Sequence, residues 1–275
     1  MSALIHETAT IDPTAYIGPG ASVGAHSTVG AHCRLEAYAI VGAHTHLGAR
    51  NHVHSFAVVG GPAQDRRTPW DAPYPLVCGD DNVFREGVTV SRGSAEGASE
   101  TRIGHHVLLM AHSHVAHDCL LGDFVTLANG VSLAGHVTLG NRVTIGGHAA
   151  VHQFCRVGTL AFIAANGMVN RDVPPYCLAA GDRATLRGLN TTGLKRADIA
   201  PETRRALQRA FHALLRRSPS ASESESDLKD TPFEAVRELI AFMAPSRRGI
   251  MAVERRRGAV PDPSATPSNT PSAFD

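Results

Sequence analysis

Every sixth residue from Ile5 to Val59 is aliphatic: Ile5, Ile11, Ile17, Val23, Val29, Leu35, Val41, Leu47, Val53 and Val59. A second unbroken run takes up the period from Ile103, Leu109, Val115 and Leu121 through to Ile163 and Val169, and short pieces around Val77 and Val83 join the two. The side chain four positions after each aliphatic one is usually small, as at Ala15, Ala21, Ser27, Cys33, Ala39 and Thr45. A repeat of six is too short for a pair of helices and misses the helical period of about 3.6 residues. It suits a short strand plus a corner, with the aliphatic side chain always pointing inward. Three such edges close a triangular coil of eighteen residues, and the regular stretches give about eight coils stacked ~4.8 Å apart.

Composition agrees with a core tiled from small and β-branched residues, since aromatics are only 5% of the 275 residues while hydrophobic side chains make up 43%. The pattern is the hexapeptide-repeat signature, and chains that carry it resemble one another in forming left-handed parallel β-helices. That handedness comes from the resemblance and departs from the usual right-handed crossover. The expected fold is therefore mainly β: a left-handed parallel β-helix over 1–190, followed by a C-terminal α-helical domain over 191–245. Two segments break the frame and must protrude, the Pro- and charge-rich 60–76 and the Gly- and Ser-rich 91–101. Loops on a rigid scaffold are where function tends to sit. Downstream, Leu207, Phe211, Leu214 and Leu215 lie at helical spacing behind Pro201, and Phe233, Val236, Ile240 and Met243 mark a second amphipathic helix. Together these helices would cover the open end of the β-helix. The stretch 246–275 reads as a disordered tail.

The formal charge of +1 calls for no nucleic-acid partner, and no apolar run approaches the ~20 residues of a membrane helix. A cytoplasmic protein with no stable membrane insertion is expected. The five cysteines lack CxxC spacing, and Cys33, Cys119 and Cys155 fall in the small inward slot, so free core thiols are expected.

Seven of the sixteen histidines, His26, His32, His44, His106, His112, His136 and His148, recur three positions after an inward aliphatic residue, which is a corner slot. His117 differs, standing two positions after Val115 and followed by Asp118. Eighteen residues on is Gly135 and eighteen further is Gln153, so these three stack along one edge, with His136 and His114 beside them. The patch formed by His114, His117, Asp118, Gly135, His136 and Gln153 combines a base, a carboxylate, further donors and a glycine that permits close backbone approach. Such a patch can take a proton from a hydroxyl while an acyl group arrives. His112 and His117 have the HxxxxH spacing of a zinc-ligand pair, as in zinc carbonic anhydrases of the same repeat class. A catalytic zinc takes three protein ligands. Straight counting places Asp81 two coils below His117, and 76–81 offers no histidine, so no metal is expected. A convex prism has no pocket of its own, so a second wall from a neighbouring copy, in a homotrimer, is expected.

Five segments, "HVAHDC" at 114–119, "LAGHVT" at 133–138, "AVHQFCRVG" at 150–158, "DVPPY" at 172–176 and "GLNTTGLKR" at 188–196, taken in order, resemble the acyl-carrier-protein-dependent UDP-N-acetylglucosamine O-acyltransferases that begin lipid A synthesis. The resemblance covers most of 1–197. It implies that His117 is the general base, that Asp118 supports it, and that the Gly135 N–H receives the oxyanion. It further implies that Asp65, His114, His136 and Gln153 hold the sugar, that Asn190 and Arg196 meet the nucleotide, and that Gln64 and Arg67 lie near the phosphopantetheine arm of the acyl carrier protein. Beyond that arm no cofactor is implied. A basic helical face at Arg204, Arg205, Arg209, Arg216 and Arg217 is a candidate for receiving the acidic carrier.

The chain departs from the family at several places. Thr192 stands where Glu is common, Ala165 where Gly often lines the acyl groove, Arg183 where a His lies near that groove, and "SRGS" at 91–94 where the loop usually starts with His. Ala165 and Arg183 leave the acyl length open, Thr192 and Arg183 keep a related N-acyltransferase as the alternative to O-acylation, and the "SRGS" departure carries no consequence readable from the sequence.

Overall fold

The computed structural model describes residues 2–216, 228, 230–244 and 246–254. Short strands, mostly of two residues, follow one another every six residues, and away from the loops each pairs in parallel with the strand eighteen residues later, as Leu4 with Ser22 and Ile5 with Val23. The result is three sheets of nine, eight and ten strands forming the faces of a triangular prism. The first face contains His114–Val115, Ser132–Leu133, Ala150–Val151 and Met168–Val169; the second contains Leu120–Leu121, Thr138–Leu139 and Arg156–Val157; the third contains Thr126–Leu127, Thr144–Ile145 and Phe162–Ile163. This is the left-handed parallel β-helix expected from the repeat.

The second residue of each two-residue strand points inward, so Val115, Leu133, Leu121, Leu127 and Ile145 are almost wholly buried. Fully burying such a side chain is worth roughly 1.5–3 kcal/mol. Between the loops the inward residues are Cys78 and Phe84, which pair with Leu47 and Val53. The reading of Val77 and Val83 as inward was therefore one residue out of register. The loops change the count: across them the coil step becomes 31 or 25 residues instead of 18. All five cysteines are free and buried, as expected, and burial pushes the Cys119 thiol up to about 12.

Corners turn through a left-handed residue. His26, His32, His44, His106, His112, His136 and His148 all have positive φ, between 54° and 62°. Histidine, with Asn and Asp, is enriched among non-glycine residues in this region, so the histidine count is in large part a property of corner geometry.

An antiparallel strand, Thr185–Leu189, returns along Cys177–Ala180 and completes the third face. Helix α1 (Thr191–Arg196) follows, capped by the Asn190 side chain; then α2 (Pro201–Ala210), a π-helical turn (Phe211–Arg216) and α3 (Glu234–Met243). Leu207, Phe211, Val236 and Leu239 belong to the same hydrophobic cluster as the last coils. Helix α3 is fixed to the prism by Arg156, which donates to the Phe242 carbonyl at 2.8 Å and lies over its ring, and by Tyr176 hydrogen-bonding Glu238. Most of the link 218–230 and Arg217 lie outside the described residues.

Residues 246–254 do not begin a disordered tail. The buried Asp172 accepts from the Ser246 hydroxyl at 2.8 Å, its N–H donates to the Gly249 carbonyl, and its carbonyl accepts from Met251 N–H. Met251 is buried beneath them. Residues 255–275 lie outside the described residues. No described helix is long and apolar enough to cross a membrane.

Candidate active site

Both loops leave the prism at the edge between the first and second faces. The first departs after Gly61, which pairs with Ser91, and returns at Leu76, which pairs with Thr101; the second departs after Ser91 and returns at Thr101. They thus replace two successive corners directly below the corner His117–Asp118. Thr101 Oγ1 accepts the Asp118 N–H at 2.8 Å, which ties the returning loop to that corner.

Asp118 turns the corner at φ +59° and its carboxylate is fully buried. His117 Nδ1 lies 2.8 Å from Asp118 Oδ2. The Ser94 hydroxyl donates to the same oxygen, and Ser94 N–H reaches Oδ1 at 3.3 Å. Burial alone would push the Asp118 carboxyl up, but the hydrogen bonds from His117 and Ser94 outweigh it and hold the group below its ordinary value. An ionised carboxylate accepts only, so Nδ1 of His117 carries the hydrogen and the neutral ring offers Nε2 as a lone-pair acceptor. The imidazole remains 14% exposed.

Gly135 stands one coil above, where a Cβ would come 2.7 Å from His117 Cε1. The missing side chain is what lets the ring lie against the next corner. Among the described residues nothing takes up the Gly135 N–H. Gln153 follows one coil higher and is exposed. His136 meets His117 edge-on at 5.1 Å, stacks on Phe154 at 4.6 Å, and is pushed to a lower pKa mainly by burial, which the Asp118 charge opposes. Gly97 of the second loop closes over this corner: a Cβ there would lie 2.5 Å from His136 Cε1 and 2.8 Å from Asp118 Cγ.

His114 lies on the outer side of the first face with Nδ1 2.8 Å from Thr89 Oγ1, and burial lowers its pKa. It opens a largely apolar groove of about 480 Å³ that runs up this face past Ala134, Ala150 and Met168 to Arg183. In the first loop Arg67 grips Asp65 at 2.7 Å, holding that carboxyl well below the usual range, and also pairs with Glu96 of the second loop. Gln64 is exposed beside them. The buried Arg92 donates to the carbonyls of Ala72 and Trp70. "SRGS" therefore has a clear structural role: Arg92 pins the first loop and Ser94 holds Asp118.

Three groups of expected residues lie elsewhere. Asn190, Thr192 and Arg196 line a separate pocket of about 440 Å³ with Phe124 and Arg142, on the edge between the second and third faces. Both arms of the Asn190 side chain are engaged, donating to the Leu160 carbonyl and accepting from Gly193 N–H. Ala165 turns the corner from the third face to the first and does not line the groove that Arg183 reaches. His112 and His117 flank the strand His114–Val115 at different edges, so the HxxxxH pair is not assembled. A different trio is: His117, Asp118 and His136 place one ligand atom each within 4.8 Å of one another. One oxygen, Asp118 Oδ2, already accepts from His117 and Ser94 there.

Ser94, Gly97 and His152 were not expected. His152 lines the apolar groove, and the pairing of Ala150 with Met168 places it one coil below Asn170. The sequence held no signal for Ser94, because only the folded loop returns it under Asp118.

A parallel β-helix with an imidazole–carboxylate pair, an unengaged corner N–H and an apolar groove beside them has the layout of an acyl-transfer enzyme. A profile described as "Udp N-acetylglucosamine O-acyltransferase; Domain 2" matches residues 172–251. The acyl-[acyl-carrier-protein]–UDP-N-acetylglucosamine O-acyltransferase of Anaeromyxobacter sp. (strain Fw109-5) is 42% identical over 196 residues, 70% of this chain and 76% of the relative. That of Alkalilimnicola ehrlichii is 40% identical over 71% of this chain and 76% of its own length. The crystal structure of UDP-N-acetylglucosamine O-acyltransferase from Moraxella catarrhalis superposes with a TM-score of 0.84 at 34% identity, covering 91% of this chain and 98% of that one. The chain belongs to the acyl-[acyl-carrier-protein]–UDP-N-acetylglucosamine O-acyltransferase family.

Proposed function

We propose that this chain moves a 3-hydroxyacyl group from acyl carrier protein to the 3-hydroxyl of UDP-N-acetylglucosamine, the first step of lipid A biosynthesis, in the cytoplasm and with no metal or cofactor beyond the donor's own phosphopantetheine. The observation that carries this reading is the His117–Asp118 pair set against the unengaged Gly135 N–H, next to Ala134 of the apolar groove. His117 Nε2 takes the proton of the sugar hydroxyl as its oxygen attacks the thioester carbon. The carbonyl oxygen, now an oxyanion, is received by the Gly135 N–H, a kind of contact that commonly contributes ~3 kcal/mol. The new C–O bond forms, the C–S bond breaks, and the imidazolium returns its proton to the leaving thiolate. Asp118 holds the ring and stabilises its charged form without itself becoming protonated. His114, His136, Gln153 and Asp65 surround the acceptor sugar, Gln64 and Arg67 border the donor's arm, and Arg183, unlike Ala165, borders the acyl groove.

Asn190 and Arg196, on a different edge from His117, serve the nucleotide of a site whose other wall is a neighbouring copy, and we propose a homotrimer. Sedimentation should give three copies; a monomer with full turnover overturns this arrangement. The reaction is tested by incubating the protein with 3-hydroxyacyl carrier proteins of several lengths and UDP-N-acetylglucosamine. A product one acyl group heavier that mild alkali cleaves is expected. An alkali-stable amide, or no product, overturns the proposal.

A further inference from the structure

The edge that carries His117, Gly135 and Gln153 ends under a side chain from the segment read as tail. Arg247 lies over the Phe154 ring, with its guanidinium carbon 3.9 Å from the centroid, and Phe154 in turn stacks on His136. From His117 to the level of Phe154 is two coils, roughly 10 Å. The placement is built in, because Asp172 holds the chain on both sides of Arg247, through the Ser246 hydroxyl and through the backbone of Gly249 and Met251.

Three other cations nearby are occupied. Arg67 is gripped by Asp65 and Glu96, Arg156 by Asp172 and the Phe242 carbonyl, and Arg248 turns to the Asn170 carbonyl. Arg247 is exposed and makes no hydrogen bond or ion pair with the described residues. A guanidinium stacked by its face on an aromatic ring keeps its N–H edge free, and that planar fork matches phosphate oxygens.

Resting on the acyl-transfer reading, we infer that Arg247 is a phosphate-binding residue of this active site, seating a phosphate of one of its two substrates at the upper end of the His117 edge. Both substrates carry such a group, the diphosphate of the nucleotide sugar and the phosphodiester of the donor's arm.

The test is steady-state kinetics of Arg247→Gln and Arg247→Lys in the full chain, with three acyl donors: the acyl carrier protein, acyl-phosphopantetheine, and acyl-pantetheine lacking the phosphate. Arg247→Gln should raise one KM about tenfold with kcat within twofold, and Arg247→Lys should recover much of it. A rise in the KM of the nucleotide sugar assigns the diphosphate. A rise for the two phosphate-bearing donors that is absent with acyl-pantetheine assigns the phosphodiester. The inference is overturned if neither KM changes by more than twofold, if acyl-pantetheine is affected equally, or if kcat alone falls. Absence of turnover in the unaltered protein would instead strike at the acyl-transfer reading.

Discussion

The lower and upper parts of a single edge carry nearly the same corner and different chemistry. Below the loops, His26 and His44 turn the chain at φ +56° and +54° and stack at 5.2 Å. Above them, Asp118 and His136 turn it at φ +59° and +62°. The residue before the left-handed one is Ala25 or Ala43 below, and His117 or Gly135 above. His44 has a lowered pKa from burial and then from the Arg92 charge, so it is kept neutral and has no carboxylate to orient it. His117 has Asp118, and Asp118 has Ser94. The scaffold repeats a backbone; the site arises where one corner exchanges alanine for imidazole and a loop returns a hydroxyl beneath it.

The sharpest way to break that contrast is to remove the imidazole that only the upper corner has. His117→Ala should lower kcat about 10²- to 10⁴-fold with both KM values little changed, the range expected for loss of a general base. Gly135→Ala comes next. Its Cβ would press on His117 Cε1 at 2.7 Å and shift the ring, so turnover should fall about 10- to 100-fold while the melting temperature moves little. An unchanged rate would mean the ring is not held as described.

Ser94→Ala should lower kcat by roughly threefold to tenfold, with Ser94→Thr restoring it, because a hydrogen bond to a charged group is worth ~1.5–3 kcal/mol and His117 still holds the carboxylate. It also has a pH signature. The Asp118 carboxyl is depressed in the folded chain, so its ionised form contributes stability that is present above the unfolded value near ~3.9 and lost as pH falls through the folded value. The stability deficit of Ser94→Ala should therefore be seen at neutral pH and shrink below about pH 4. A deficit independent of pH would assign Ser94 to packing alone. The smallest effect is expected from His44→Ala, with turnover within twofold; a loss comparable to that of His117→Ala would erase the distinction between the two corners.

The hexad period made the prism legible because an inward aliphatic residue every six positions leaves few alternatives. The stack of His117, Gly135 and Gln153 was legible for the same reason, since no loop interrupts the chain between them. Legibility failed where loops changed the count. Cys78 and Phe84, not Val77 and Val83, face inward, and the position two coils below His117 is not Asp81, because the loops lie between. The part played by Ser94 depends on a long-range return of the chain that no local pattern encodes. The segment 246–254 is too short to show a strand or helix period in the sequence, yet the buried Asp172 fixes it through backbone hydrogen bonds. Asn190 sits in a motif of the family, and its side chain is at the same time a helix cap.

Asp118 acts through His117. A double-mutant cycle tests it most directly: kcat of His117→Ala, Asp118→Asn and the double variant, measured with acyl carrier protein and UDP-N-acetylglucosamine saturating. If the pair works as a unit, Asp118→Asn costs turnover in the presence of His117, and the double variant is no slower than His117→Ala alone. Two losses that multiply would contradict it, showing that the carboxylate acts on the substrates independently of the imidazole.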